Sequence, residues 1–170
     1  MIAVIFAIVA ASVLVAIWMA RWVLAKPTGP PAMREVADAI REGAEGFLAT
    51  QYAAIAKYAV TMAVLLLLLY MTRPPIHEDV STTTMALLTA ATFSTGALMS
   101  AAAGYIGMYI SVRANVRTAA AATRSYQEAI DVALRGGAVC GLLVVGLCVF
   151  GITVLFTLLR WTFPGLPAPM

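Results

Sequence analysis

Four arginines in the second half of the chain have the residue type and spacing to bind an anion. They are Arg113, Arg117, Arg124 and Arg135. At about 100° per residue, one continuous helix through this stretch would place all four on the same face. Because guanidinium groups bind phosphate and carboxylate, this face is a candidate for contact with an anionic substrate or phosphate on the cytoplasmic side. Glu128 and Asp131 fall close to the same direction, so a solvated face with internal ion pairs is the alternative.

The long apolar stretches of the chain carry no ionisable side chain near their middle. All eight carboxylates fall in the connections, whereas moving an ion across a membrane normally needs a titratable group inside the helix bundle. The adjacent residues His77, Glu78 and Asp79 do not form a convincing ion site, because they include the only histidine and lie in one short loop. We therefore predict no catalytic residue, no cofactor-binding residue and no metal ligand in this chain.

The composition of the chain indicates that its helices cross a membrane. Hydrophobic residues make up 62% of the 170 residues and charged residues 11%, against about 25% charged in a soluble domain. A membrane span needs about 20 mostly apolar residues. The predicted spans are 2–24, 53–71, 82–112 and 138–159. The net charge of +3 comes without a basic run, which argues against nucleic-acid binding.

The third span is too long to lie wholly within the bilayer. At about 1.5 Å per residue it would extend for about 46 Å, against roughly 30 Å of hydrocarbon. Its end is therefore expected to project from the membrane, and Gly136-Gly137 is expected to break or bend the chain before the fourth span. The prediction is an all-α polytopic transmembrane helix bundle of four spans with cytoplasmic helical extensions, in which residues 1–170 form a single transmembrane domain.

Lysines and arginines are distributed unequally among the connections. The first and third connections carry four each, while the second and the C-terminal tail carry one each. Under the positive-inside rule, the first and third connections are cytoplasmic and both termini lie outside. We therefore predict a multi-pass integral membrane protein with this orientation.

Small residues recur at helical spacing in the third and fourth spans. In lipid, such residues favour close approach of neighbouring helices, because burying leucine against leucine gains little there. The predicted packing residues are Gly96, Ser100, Gly104 and Gly107 in the third span, and Gly137 and Gly141 in the fourth.

Three ordered segments resemble the membrane-bound, ion-translocating inorganic pyrophosphatases. The first is IREGAEGFLATQY at 40–52, which resembles the lead-in to the second span of that family. The others resemble its third and fourth helices; they are GYIGMYI at 104–110 with ANVRT at 114–118, and ALRGGAV at 133–139. The resemblance covers roughly residues 33–151.

The resemblance implies that the chain is the N-terminal four-helix portion of a larger pump. Members of the family hydrolyse pyrophosphate with magnesium while pumping protons or sodium ions, and their catalytic and gating residues follow the fourth helix. The chain alone is therefore expected to be inactive and to have the bilayer and the remaining pump helices as partners. Pyrophosphate, magnesium and a homodimer are implied only for the complete protein. The alternative is a non-enzymatic four-helix membrane protein that assembles with partner helices.

Overall fold

A computed structural model of the chain describes residues 2–73 and 81–162, and in these ranges it consists of four helices and no strand. The helices are α1 (Ile2–Leu24), α2 (Pro31–Met71), α3 (Thr82–Ala122) and α4 (Tyr126–Thr162). All four are long and apolar enough to cross a membrane. The prediction of an all-α polytopic bundle is confirmed. His77, Glu78 and Asp79 lie outside the described residues.

The shape of the connection between α1 and α2 depends on two prolines and a glycine. Pro27 cannot continue α1, because it lacks a backbone N–H, and Pro31 is the first residue of α2, where a missing N–H costs nothing. Gly29 has a φ of 79°. A Cβ added there would lie 2.8 Å from Met33 Sδ and 3.1 Å from Ala120 Cβ. Glycine is therefore required where the chain turns against the end of α3.

The connection between α3 and α4 is a turn of only three residues, 123–125. The backbone N–H groups of Arg124 and Ser125 both donate to Ala121 O at 2.9 Å, which closes the end of α3. At the start of α4, Ser125 Oγ accepts from the backbone N–H of Glu128 at 3.5 Å, in the manner of an N-cap. The two helices consequently form an antiparallel hairpin.

The expected break at Gly136-Gly137 is wrong, because α4 runs through both glycines without interruption. A glycine inside a helix costs about 1 kcal/mol relative to alanine. At Gly136 the absence of a side chain allows close packing, since a Cβ there would lie 3.0 Å from Ala114 Cβ on α3. Close packing against α3 therefore offsets the weak helix propensity at Gly136.

Helix α3 is the central element of the described bundle. It contacts the other three helices, while α1 packs mainly against α4 and α2 contacts α3 alone. The two buried clusters lie between α1, α3 and α4; they comprise Val23, Ala114, Ala121, Ala129 and Val132, and Ala16, Ile110, Val139 and Leu143. Helix α2 has no buried residue. Most of its surface is therefore available to lipid or to other helices.

Candidate functional site

Basic and aromatic side chains meet at one end of the bundle, where α1 and α3 end and α2 and α4 begin. We call this the basic end. The Lys26 ammonium lies 4.3 Å from the centre of the Trp22 ring, and the Arg135 guanidinium lies 3.9 Å from the same ring. Arg113 lies 3.5 Å from the centre of the Tyr109 ring. Cation–π contacts of this kind are favourable, and tryptophan and tyrosine are enriched at membrane–water interfaces. The residue types at the basic end are thus those typical of a membrane–water interface.

Arg117 closes the C-terminal end of α1. Its Nη2 and Nε donate to Leu24 O at 2.9 and 3.2 Å, and its Nη1 donates to Arg113 O at 2.6 Å. The last carbonyls of a helix have no partner within the helix, and a cation there also interacts favourably with the helix dipole. Arg117 therefore satisfies the end of α1 and ties it to α3.

Arg124 forms a two-contact ion pair with Glu128 on the first turn of α4. Its Nη2 donates to Oε1 at 3.0 Å and its Nε to Oε2 at 3.1 Å. Lys26 Nζ lies 3.5 Å from the same Oε1. The hydrogen bond with Glu128 raises the pKa of Arg124. The charge of Arg124 is therefore balanced locally.

The structure divides the four arginines that the sequence placed on one face. Arg113 and Arg117 lie on α3, Arg124 lies in the turn and Arg135 lies on α4. The prediction of a common face on one continuous helix is wrong, because α3 ends at Ala122 and α4 runs back beside it. The predicted role of the four arginines in anion contact stays a prediction.

Arg113 and Arg117 instead share a cleft with two arginines of α2 that the sequence analysis did not single out, Arg34 and Arg41. We call it the arginine cleft. It has a volume of about 220 Å³ and is lined by Thr28, Arg34, Ala37, Asp38, Arg41, Val112, Arg113, Val116 and Arg117. The seven-residue spacing of Arg34 and Arg41, two helical turns, was the available signal. This spacing indicates a shared site only once α2 is known to lie beside the end of α3.

Three of the four guanidinium groups in the arginine cleft have no carboxylate partner in the described part of the chain. Arg41 lies 3.4 Å from Asp38 Oδ1 and 3.8 Å from Glu45 Oε1. The others donate to backbone carbonyl groups: Arg34 to Gly29, Arg113 to Tyr109, and Arg117 to Leu24 and Arg113. The cleft is therefore positively charged and suited to an anion that accepts hydrogen bonds.

Among the predicted packing residues, Gly104 and Gly107 lie at close helix contacts. A Cβ at Gly104 would lie 3.1 Å from Tyr52 Oη on α2, whose hydroxyl donates to Ala101 O at 2.6 Å. A Cβ at Gly107 would lie 3.5 Å from Cys140 Sγ on α4. These two glycines lie on opposite seams of α3.

The other predicted packing positions are more open. A Cβ added at Gly96, Gly137 or Gly141 would meet no atom within 4 Å in the described residues. Ser100 is exposed and lines an open groove of about 380 Å³ between α3 and α4. The described residues hold no group of three or more histidines, cysteines or carboxylates placed to bind a metal ion.

The four apolar helices define an integral membrane protein. Comparison with known families gives its class: residues 10–166 match the inorganic H+ pyrophosphatase family. The chain belongs to this family, and the resemblance found in its sequence is confirmed.

Comparison with individual proteins shows the same relationship. The chain is 45% identical over 157 residues to the pyrophosphate-energized membrane proton pump 3 of Arabidopsis thaliana, an alignment covering 90% of the chain and 20% of the relative. It is 48% identical over 145 residues to the K(+)-insensitive pyrophosphate-energized proton pump 2 of Moorella thermoacetica, covering 85% and 19%. The chain thus spans about a fifth of the length of these relatives. No solved structure matches it significantly.

Proposed function

We propose that the chain supplies four scaffold helices of a pyrophosphate-energised pump for protons or sodium ions. The observation that carries this proposal is the alignment itself, which covers 85% of the chain but 19% of the Moorella thermoacetica pump. In the proposal, pyrophosphate hydrolysis, its magnesium ions and ion gating belong to the remainder of the pump. A homodimer, if formed, is a property of that complete protein.

The packing of the helices supports a scaffold role. Moving one charge against 100 mV costs about 2.3 kcal/mol, so a pump must couple hydrolysis to a gated site. In the two buried clusters the described helices contact one another through alanine and valine, together with Ile110 and Leu143. Helix α2 leaves most of its surface uncovered, which gives the remaining helices of a pump a face to pack on.

Sidedness forms part of the proposal. The basic end includes the first and third connections, and the positive-inside rule favours the cytoplasm for both. The clustering of Lys26, Arg117 and Arg124 at one end of the bundle supports this orientation. Both termini then lie on the outer side.

The first test measures pyrophosphate hydrolysis by the chain alone. Vesicles containing the chain are expected to release no more phosphate from pyrophosphate and magnesium than vesicles without it. Vesicles containing the complete Moorella thermoacetica pump serve as the positive control. Turnover by the chain alone, above that of the empty vesicles, contradicts the proposal that the chemistry lies elsewhere.

A chimera tests whether the chain can act as scaffold. In the Moorella thermoacetica pump, this chain replaces the 145 residues that align with it. We expect the chimera to keep pyrophosphate-dependent proton uptake into vesicles, because a scaffold of the same family should present the same packing faces. A chimera that inserts normally but neither hydrolyses pyrophosphate nor takes up protons favours the alternative function, a non-enzymatic four-helix membrane protein.

A further inference from the structure

The arginine cleft continues into an apolar groove between α2 and α3. The groove runs from the cleft along α3 toward residue 105 and shares Arg41, Val112 and Arg113 with it. It is small, about 60 Å³, and its lining combines the charged side chain of Glu45 with the apolar and aromatic side chains of Leu48, Tyr105, Met108 and Tyr109. We call it the acyl groove. A charged cleft thus opens directly onto a small, mainly apolar groove that points toward the membrane-spanning part of the bundle.

From this arrangement we propose that the arginine cleft and the acyl groove bind an anionic phospholipid, with its phosphate in the cleft and part of one acyl chain in the groove. Arg34, Arg113 and Arg117 supply guanidinium groups that form no ion pair with a described carboxylate, although Asp38 also lines the cleft. Phosphate is a strong acceptor for such groups. Basic pockets between transmembrane helices are known binding places for anionic lipid headgroups.

The arginine cleft lies at the level along the bundle where lipid headgroups are expected. Arg113 is the first charged residue after the apolar stretch 82–112, and its guanidinium lies on the Tyr109 ring at 3.5 Å. At the same end of the bundle, Trp22 lies against Lys26 and Arg135. This mixture of aromatic and basic side chains is typical of the interfacial layer, where lipid phosphates lie.

A lipid accounts for both parts of the site, whereas a free phosphate accounts only for the cleft. In the described part of the chain the seam between α2 and α3 is uncovered, because α2 contacts no described helix other than α3 and has no buried residue. The proposal therefore requires the remaining helices of a pump to pack on the other faces of α2. An acyl chain can therefore enter the groove sideways. This inference does not depend on pyrophosphate chemistry, so it can fail or succeed independently of the proposed function.

The first experiment compares headgroups on the unaltered chain. The purified chain, in a mild detergent, is mixed with phosphatidylglycerol or with phosphatidylcholine of identical acyl chains, and bound lipid is counted by native mass spectrometry. We expect clearly more phosphatidylglycerol than phosphatidylcholine to stay bound. Equal retention of the two lipids overturns the proposal, and this comparison needs no variant.

The second experiment places the lipid in the cleft. The double variant Arg34→Gln/Arg113→Gln should lose about fivefold in phosphatidylglycerol affinity for each arginine, since a basic residue near a lipid surface contributes about 1 kcal/mol. The matched control is Arg124→Gln/Arg160→Gln, which removes the same charge away from the cleft and should bind as the unaltered chain does. Equal affinity of the cleft variant and the unaltered chain, with circular dichroism showing that both are helical, overturns the proposal.

A third measurement separates the lipid from a free anion. Inorganic phosphate or pyrophosphate, added at the same concentration as phosphatidylglycerol, should leave most of the bound lipid in place, because it gains nothing from the acyl groove. If either anion displaces the lipid at equal concentration, the site recognises a free anion and the lipid assignment is wrong.

Discussion

Arg117 shows how one side chain can join distant parts of the chain. The carbonyl oxygen of Leu24 that it binds is 93 residues away in sequence. Each hydrogen bond is made by a charged donor to a group that has no partner within α1. The residue therefore serves the fold directly, whatever the arginine cleft binds.

Replacing Arg117 should weaken the bundle. In Arg117→Gln, α1 loses its capping donor and the tie to α3, and we expect a loss of about 1.5–3 kcal/mol, the usual contribution of a hydrogen bond to a charged group. Reversible unfolding in mixed detergent micelles measures the change. The control is Arg124→Gln, whose exposed ion pair should contribute less. A loss no larger than in the control contradicts the capping role.

Only some residues of the arginine cleft could be predicted from the sequence. The sequence identified Arg113 and Arg117 as candidates for anion contact, since spacing along one helix is visible in a sequence. Arg34 and Arg41 were missed because their relation to α3 depends on how α2 packs. The partner of Arg117 was missed for another reason: it is a backbone carbonyl, which side-chain types do not indicate.

At the scale of helices, the close contact between α3 and α4 depends on small residues at particular positions along the two helices. Gly107 is buried and faces Cys140, whose Sγ lies 3.2 Å from Gly107 O. Close backbone approach of this kind is a main source of helix association in lipid. Gly137 and Gly141, on the same helix as Cys140, are exposed.

A leucine at the seam should separate the two helices. Gly107→Leu adds a side chain where even a Cβ would lie 3.5 Å from Cys140 Sγ, and overpacking of this kind costs about 1–3 kcal/mol. Gly141→Leu is the matched control, because it makes the same exchange at a position where a Cβ meets no described atom within 4 Å. Unfolding in mixed micelles should show a loss for Gly107→Leu relative to Gly141→Leu. Equal stability of the two variants would show that the seam tolerates the added volume.

Helix type and number could be predicted from the sequence, whereas the position of the hairpin turn could not. Long apolar runs predict membrane helices because only a helix satisfies its own backbone in lipid. A break or bend was expected at Gly136-Gly137, whereas the chain turns at residues 123–125, where Ser125 caps α4. At both places the low helix propensity of glycine and serine competes with packing between helices. Packing depends on residues distant in sequence, so it cannot be predicted from the local sequence.

For the whole molecule, sidedness is the testable consequence of the charge distribution. Thr123 lies in the α3–α4 turn at the basic end, and Ser81 lies at the other end, before α3. In a chain whose Cys140 and Cys148 are replaced by alanine, a membrane-impermeant maleimide applied to intact cells should label Ser81→Cys. It should label Thr123→Cys only after the cells are opened. The reverse pattern would show that the basic end faces outward.

The order in which the helices are made has a consequence for how the bundle assembles. The main neighbour of α1 is α4, which begins at Tyr126, about a hundred residues after α1 ends at Leu24. At about 5–20 residues per second, ribosomes need roughly 5–20 seconds to make that stretch. During this interval α1 has to remain in the bilayer without its principal neighbour, while α2 and α3 are free to associate as soon as both are inserted. The strongly apolar sequence of α1 allows it to stay stably inserted in the bilayer before α4 is made.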